Sequence, residues 1–146
     1  MKNILISACL LGEPCRYDGK SKPIDESLIR QLKEKYNIVP VCPEILGGLP
    51  VPRPPCEIKG ERVVRKDGTD CTVEYQKGAE ETLRLADAND VTFCLLKSKS
   101  PSCGRDFVYD GSFLQTLHEG NGVTVKLLVE NGYTIYTENE IKNILN

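Results

Sequence analysis

The feature that most limits the fold is a recurrence. Three short apolar-rich runs, at 2–8, 38–41 and 91–96, each lead to a cysteine, directly for Cys9 and Cys42 and through a Ser/Pro turn for Cys103. Runs this short and continuous read as buried strands. Between the first two, Asp25 stands as a helix N-cap before Leu28, Ile29, Leu32 and Tyr36, which recur at helical spacing. Residues 72–87 read as the longest helix, with Val73, Ala79, Leu83 and Ala86 as its apolar positions. Val123–Asn131 reads as a helix closed by Gly132, Tyr133–Tyr136 as a strand, and Thr137–Leu145 as a helix entered through a Thr137/Glu140 capping box. Strands alternating with helices imply an α/β, Rossmann-like fold, a mostly parallel sheet with helices on both faces. The length predicts a single domain over 1–146. Right-handed crossovers put every β-to-α loop on one rim, so the three cysteines are expected at the carboxyl ends of the strands, where such sheets bind ligands.

The other segments are less regular. Residues 9–23 form a Gly/Pro loop. The stretch 42–56 holds five prolines and the pair Gly47-Gly48, which predicts a long ordered loop without helix or central strand. Residues 57–66 read as a hairpin followed by an Asp67-Gly68 turn, and 112–119 as a short helix carrying His118.

Composition narrows the function classes. Net charge is −2 and no run of Lys or Arg exceeds two residues, so neither a nucleic-acid groove nor an anionic membrane partner is expected. No apolar run approaches the ~20 residues of a membrane helix. The N-terminus lacks a signal-peptide pattern, and a cytoplasmic protein is expected. Seven cysteines in a reducing compartment point to metal binding or catalysis rather than disulfides. With one histidine and no Cys-x-x-Cys pair, the common zinc spacings are missing. Three converging thiolates are a soft donor set, suited to an iron–sulfur cluster with one iron left open.

Three segments carry the chemistry: Ser7-Ala8-Cys9-Leu10-Leu11-Gly12 with Arg16-Tyr17-Asp18-Gly19; Val41-Cys42-Pro43-Glu44 with Gly47-Gly48-Leu49-Pro50-Val51-Pro52-Arg53; and Leu96-Lys97-Ser98-Lys99-Ser100-Pro101-Ser102-Cys103-Gly104. In this order and spacing they resemble the thiouracil desulfidase family over nearly the whole chain. The resemblance implies a [4Fe–4S] cluster on Cys9, Cys42 and Cys103, with no protein ligand on the fourth iron. It implies removal of sulfur from a thiolated pyrimidine base, a small-molecule substrate, leaving an oxo group and hydrosulfide. It places the family's catalytic acidic residue and serine at Glu44 and Ser100.

Read from the residues themselves, Glu44 lies two positions after one cysteine, within reach of a bound base as general base. Ser100, with Ser98 and Ser102 as alternatives, stands at the same rim. Arg16, Asp18 and Arg53 are candidates for substrate binding or for ion pairs that brace the loops. Lys97 and Lys99 read as solvated or as an anion site. Cys94 and Cys71 read as packing residues. Cys15 and Cys56 stay open between spare thiol and fourth ligand. A sulfur or cluster carrier without turnover, and a structural zinc or thiol site, are the competing readings.

Overall fold

The computed structural model describes residues 1–146. In chain order, β1 (Asn3–Ser7) is followed by α1 (Glu26–Lys35), β2 (Asn37–Val41) and α2 (Pro43–Leu46). Then come β3 (Cys56–Lys59), β4 (Arg62–Arg65), α3 (Thr72–Ala88) and β5 (Val91–Leu96). The chain ends with β6 (Phe107–Tyr109), β7 (Leu117–Glu119), α4 (Val123–Glu130), β8 (Ile135–Thr137) and α5 (Ile141–Leu145). No helix is long and apolar enough to cross a membrane.

Four strands form a parallel sheet in the order β2-β1-β5-β8. Alternation along the strands divides the core in two, because successive side chains in a strand point to opposite faces. Ile4, Ile6 and Leu95 pack on one face with Leu32 of α1 and Ile141 and Ile144 of α5. Leu5, Cys94 and Leu96 pack on the other with Ala86 of α3 and Val125 and Leu128 of α4. Helices thus cover both faces, as the β/α alternation in the sequence implies. Cys94 is fully buried in this second core, the packing role expected of it.

The strand order also locates the crevice. From β1 the chain moves to β2 on one side, then crosses back to β5 on the other. This reversal between β1 and β5 is the topological switch point, where open α/β sheets bind ligands beyond the carboxyl ends of their strands. At that point the Ser7 hydroxyl accepts a hydrogen bond from the Lys97 amide at 2.9 Å.

Three sequence expectations are corrected. Residues 112–119 are not a helix. Residues 107–109 and 117–119 form an antiparallel hairpin, and His118 is exposed on β7. Its loop is held by carboxylates: Asp110 accepts from the Ser112 amide at 2.9 Å, and Glu57 Oε1 from the Gly111 and Phe113 amides at 3.0 and 3.1 Å. Leu114 and Leu117 are both exposed, so the segment has no apolar stripe with which to anchor a helix. The proline-rich stretch after Cys42 opens with the one-turn helix α2. Pro43 occupies its first position, where the missing N–H has no intrahelical partner to lose. Val73, assigned to the buried stripe of α3, is 73% exposed; the buried positions are Tyr75, Gly78, Ala79, Thr82 and Ala86.

Gly47 and Gly78 let α2 and α3 meet backbone to backbone. A Cβ on Gly78 would stand 2.0 Å from the Pro43 carbonyl oxygen, and one on Gly47 1.9 Å from that of Glu74. Neither obstacle is a flexible side chain. Gly78→Ala is therefore expected to push α2 away and destabilise the protein by about 1–3 kcal/mol. Urea denaturation measures this, and a midpoint equal to wild type would contradict the tight contact. Because α2 carries Glu44, the displacement propagates directly into the cavity described next.

Candidate active site

A cavity of about 620 Å³ opens at the carboxyl end of the sheet. Cys9, Cys42 and Cys103 all line it. Cys9 sits in a 3₁₀ turn (Ala8–Leu11) that follows β1 and ends at Gly12, whose φ of 102° favours glycine. Cys42 leaves β2 and is the N-cap of α2. Cys103 lies in the turn beyond β5, with Gly104 close beneath Ser100: a Cβ there would stand 2.6 Å from the Ser100 carbonyl oxygen.

All seven cysteines are free. The Cys15 thiol neighbours those of Cys9 and Cys42, and Cys42 Sγ donates to the Cys15 carbonyl oxygen at 3.7 Å. The hydrogen bond with Cys15 and then burial push the Cys42 thiol far up. Burial pushes Cys103 up to about 12, against the lowering effect of the neighbouring Ser7 and Ser102 hydroxyls. Such thiols become thiolates when a cation compensates the charge, as a coordinated metal does. No three His, Cys, Asp or Glu side chains are gathered around one ion-sized point. Thiols spaced around a shared cavity instead suit a multinuclear cluster, in which separate irons each take one cysteine. The donor set and its placement fit the group expected from the sequence.

Glu44 projects from the first turn of α2 into a convergence of donors. Its Oε1 accepts from the Tyr75 hydroxyl at 2.6 Å and from Arg53 Nε at 3.2 Å; its Oε2 accepts from the Ser102 hydroxyl at 3.1 Å. Burial, then the neighbouring Glu44 charge, push the Tyr75 hydroxyl far above its usual range, so it stays a donor. A carboxylate has four lone-pair positions, so one on Oε2 remains free.

Proton counting fixes the direction of the serine chain. Ser100 Oγ accepts from the backbone amides of Ser102 and Cys103, both at 3.1 Å, which uses its two lone pairs. Its hydroxyl proton is left for Ser102 Oγ, 2.9 Å away. Ser102, 1% exposed, then gives its one proton to the Glu44 carboxylate at 3.1 Å rather than to the more distant, neutral Cys103 thiol at 3.6 Å. The result is a polarised line, Ser100 to Ser102 to Glu44. Ser98, the other candidate, donates its hydroxyl and amide to Glu138 at 2.9 and 2.8 Å. Lys97 pairs with the same carboxylate at 2.8 Å. Burial alone would raise the Glu138 carboxyl; hydrogen bonds from Lys97 and the Ser98 amide outweigh it and hold the group below its usual range.

The three candidate charges separate by role. Arg53 is 7% exposed, and its guanidinium reaches Glu44, the Pro50 carbonyl at 3.0 Å and the Cys15 carbonyl at 3.0 Å. It braces the site from within. Arg16 lines the cavity and stands 5.6 Å from the Tyr17 ring centroid. Asp18 is outside the lining; it accepts from the Lys20 amide at 3.0 Å and faces Arg16 at 3.8 Å. Cys56 also reaches the cavity, but it packs with Cys71 and Tyr75 in a small satellite core away from the other thiols. Sequence reasoning missed Tyr75 and the ordering of the serines. The one available signal was Gly78, a glycine inside a strong helical pattern, which marks a close approach by another backbone.

Comparison with known proteins bears on the fold and the family. The chain is 40% identical over 152 aligned positions to the uncharacterized protein YbbK of Bacillus subtilis (strain 168), covering 97% of this chain and 99% of the relative. Its structure is similar to that of the [4Fe-4S]-dependent thiouracil desulfidase TudS, with a TM-score of 0.94, 43% identity, and coverage of 98% of this chain and 95% of that one. The model of the 2-thiouracil desulfurase family matches residues 4–140, a span that takes in the three cysteines, Glu44 and the serine line, and the chain belongs to that family.

Proposed function

We infer that this protein removes sulfur from a thiolated pyrimidine base such as 2-thiouracil, using a [4Fe–4S] cluster held by Cys9, Cys42 and Cys103. The observation that carries the reading is the meeting of those three thiols with the Glu44 carboxylate and its serine line in one cavity. When bound, the cluster supplies a soft electron-pair acceptor for the thiocarbonyl sulfur.

The chain's own residues supply the rest. Tyr75 and Arg53 fix one carboxylate oxygen of Glu44, leaving the free lone pair of Oε2 to take a proton from a water that adds to the thiocarbonyl carbon. Ser102 donates to that same oxygen and Ser100 orients Ser102. The carbon–sulfur bond breaks as the added oxygen gives up its second proton, and both protons, the one held by Glu44 and the one from that oxygen, leave with the sulfur. The balance is one C=S and one water converted to one C=O and one H₂S, with no electrons transferred. Arg16 faces the substrate, Asp18 steadies Arg16 from outside the cavity, and Arg53 holds Glu44 to the Cys15 loop.

Anaerobically reconstituted protein is expected to hold about four irons and about four acid-labile sulfides per chain, and to release hydrosulfide from 2-thiouracil. Loaded protein that frees no hydrosulfide from any thiopyrimidine would refute the reading.

A further inference from the structure

The hairpin loop between β6 and β7 brings two side chains to the same cavity as the thiols. Phe113, half-buried, and Gln115, exposed at the rim, both line it, while Leu114 between them is 77% exposed to solvent. Both cavity-facing residues have left-handed backbone, with φ of 61° and 59°. For a residue as bulky as Phe this is a genuine outlier, and two within three residues persist only where the surroundings enforce them. Glu57 does so by accepting the amides of Gly111 and Phe113. Gly111 itself approaches β3 so closely that a Cβ would stand 3.0 Å from the Ile58 carbonyl oxygen. Glycine would satisfy both left-handed positions without steric cost. The side chains that stand there instead are the only Phe and the only amide among the cavity-lining residues.

Their chemistry is that of pyrimidine recognition. Two of the other aromatic rings in the cavity are engaged, Tyr75 with Glu44 and Tyr17 with Arg16. The chain's ring–ring contacts, Tyr36 with Phe93 and Phe93 with Tyr136, involve neither Phe113 nor any other cavity-lining residue. Phe113 is half-buried and offers an apolar face on which a flat base can stack. Gln115 carries a donor and an acceptor side by side, the complement of a pyrimidine edge that presents N–H beside C=O.

We propose that Phe113 and Gln115 form the base-recognition wall of the site, Phe113 by stacking and Gln115 by reading the ring edge. Glu57 is the positioning residue that holds the wall in its left-handed conformation. This rests on the thiobase reading of the cavity and adds to it the residues that select the base.

The test is steady-state kinetics on 2-thiouracil, with calorimetric binding of the same compound as a readout independent of turnover. Phe113→Ala is expected to raise KM and Kd about tenfold or more, with kcat changed little. Phe113→Tyr keeps a stacking face and is expected to return both to near the wild-type value. Gln115→Gly removes the amide but suits the backbone, so KM rises while Tm is not lowered. Wild-type KM in both Phe113→Ala and Gln115→Gly, whatever their Tm, would overturn the wall. If wild-type protein binds 2-thiouracil without turning it over, the function proposed above fails. Loss of that binding in Phe113→Ala would still support the wall, and its retention would refute it.

Discussion

Replacing Glu44 with Gln leaves iron and labile sulfide content unchanged and slows hydrosulfide release by about 10²–10⁴-fold, the usual contribution of a positioned acid–base group. The substitution is close to isosteric. A Gln carbonyl still accepts from Tyr75 and Arg53, so α2 and its hold on the Cys15 loop survive. What changes is the other arm. An amide nitrogen replaces Oε2, donates where the carboxylate accepted from Ser102, and cannot take the proton of an adding water. Iron assay and kinetics on the same preparation separate the two effects. Full turnover in Glu44→Gln would end the assignment, and loss of iron would show instead that Glu44 supports the thiols.

The second large effect concerns the thiols. Alanine at Cys9, Cys42 or Cys103, one at a time, is expected to abolish both visible colour and activity in reconstituted protein, because each cysteine would serve a separate iron. Alanine at Cys94 or Cys71 removes a buried side chain from a packed core and lowers stability without touching iron content. Cys15→Ala is the sharpest member of the series. Its thiol neighbours two of the three proposed ligands, and its carbonyl accepts from Cys42 Sγ, yet the reading requires iron to bind without it. Iron content equal to wild type in Cys15→Ala, beside iron-free Cys42→Ala, would fix the ligand set. Iron loss on removing Cys15 would overturn it.

Much of this was legible along the chain because it is local. Continuous apolar runs revealed β1, β2 and β5, and the Thr137/Glu140 capping box marks the last helical segment where the structure has it. Placing Cys9, Cys42 and Cys103 at one rim needed only the handedness of β/α crossovers. What stayed hidden depends on contacts distant in sequence. Ser102 and Glu44 are 58 positions apart and Tyr75 and Glu44 are 31, so no spacing rule links them. The hairpin at 107–119 was misread because its pairs are short and its side chains mostly exposed, which leaves little alternation to detect. For Arg53 the sequence leaves substrate binding and loop bracing open, and its guanidinium, facing the protein's own carbonyls and carboxylate, decides for bracing.

The two-sided core of the sheet has a consequence for how the protein matures. Ile4, Ile6 and Leu95 on one side, and Leu5, Leu96 and Val125 on the other, are buried among apolar side chains of the sheet and its helices, and Cys9 and Cys103 extend the two clusters to the cavity rim. Small metallodomains such as zinc fingers collapse around their ion, and there metal affinity and folding are a single free energy. Here the scaffold can form first. Loading the site is then expected to be separable from folding, with iron-free and iron-loaded protein sharing the same sheet and the same two apolar cores.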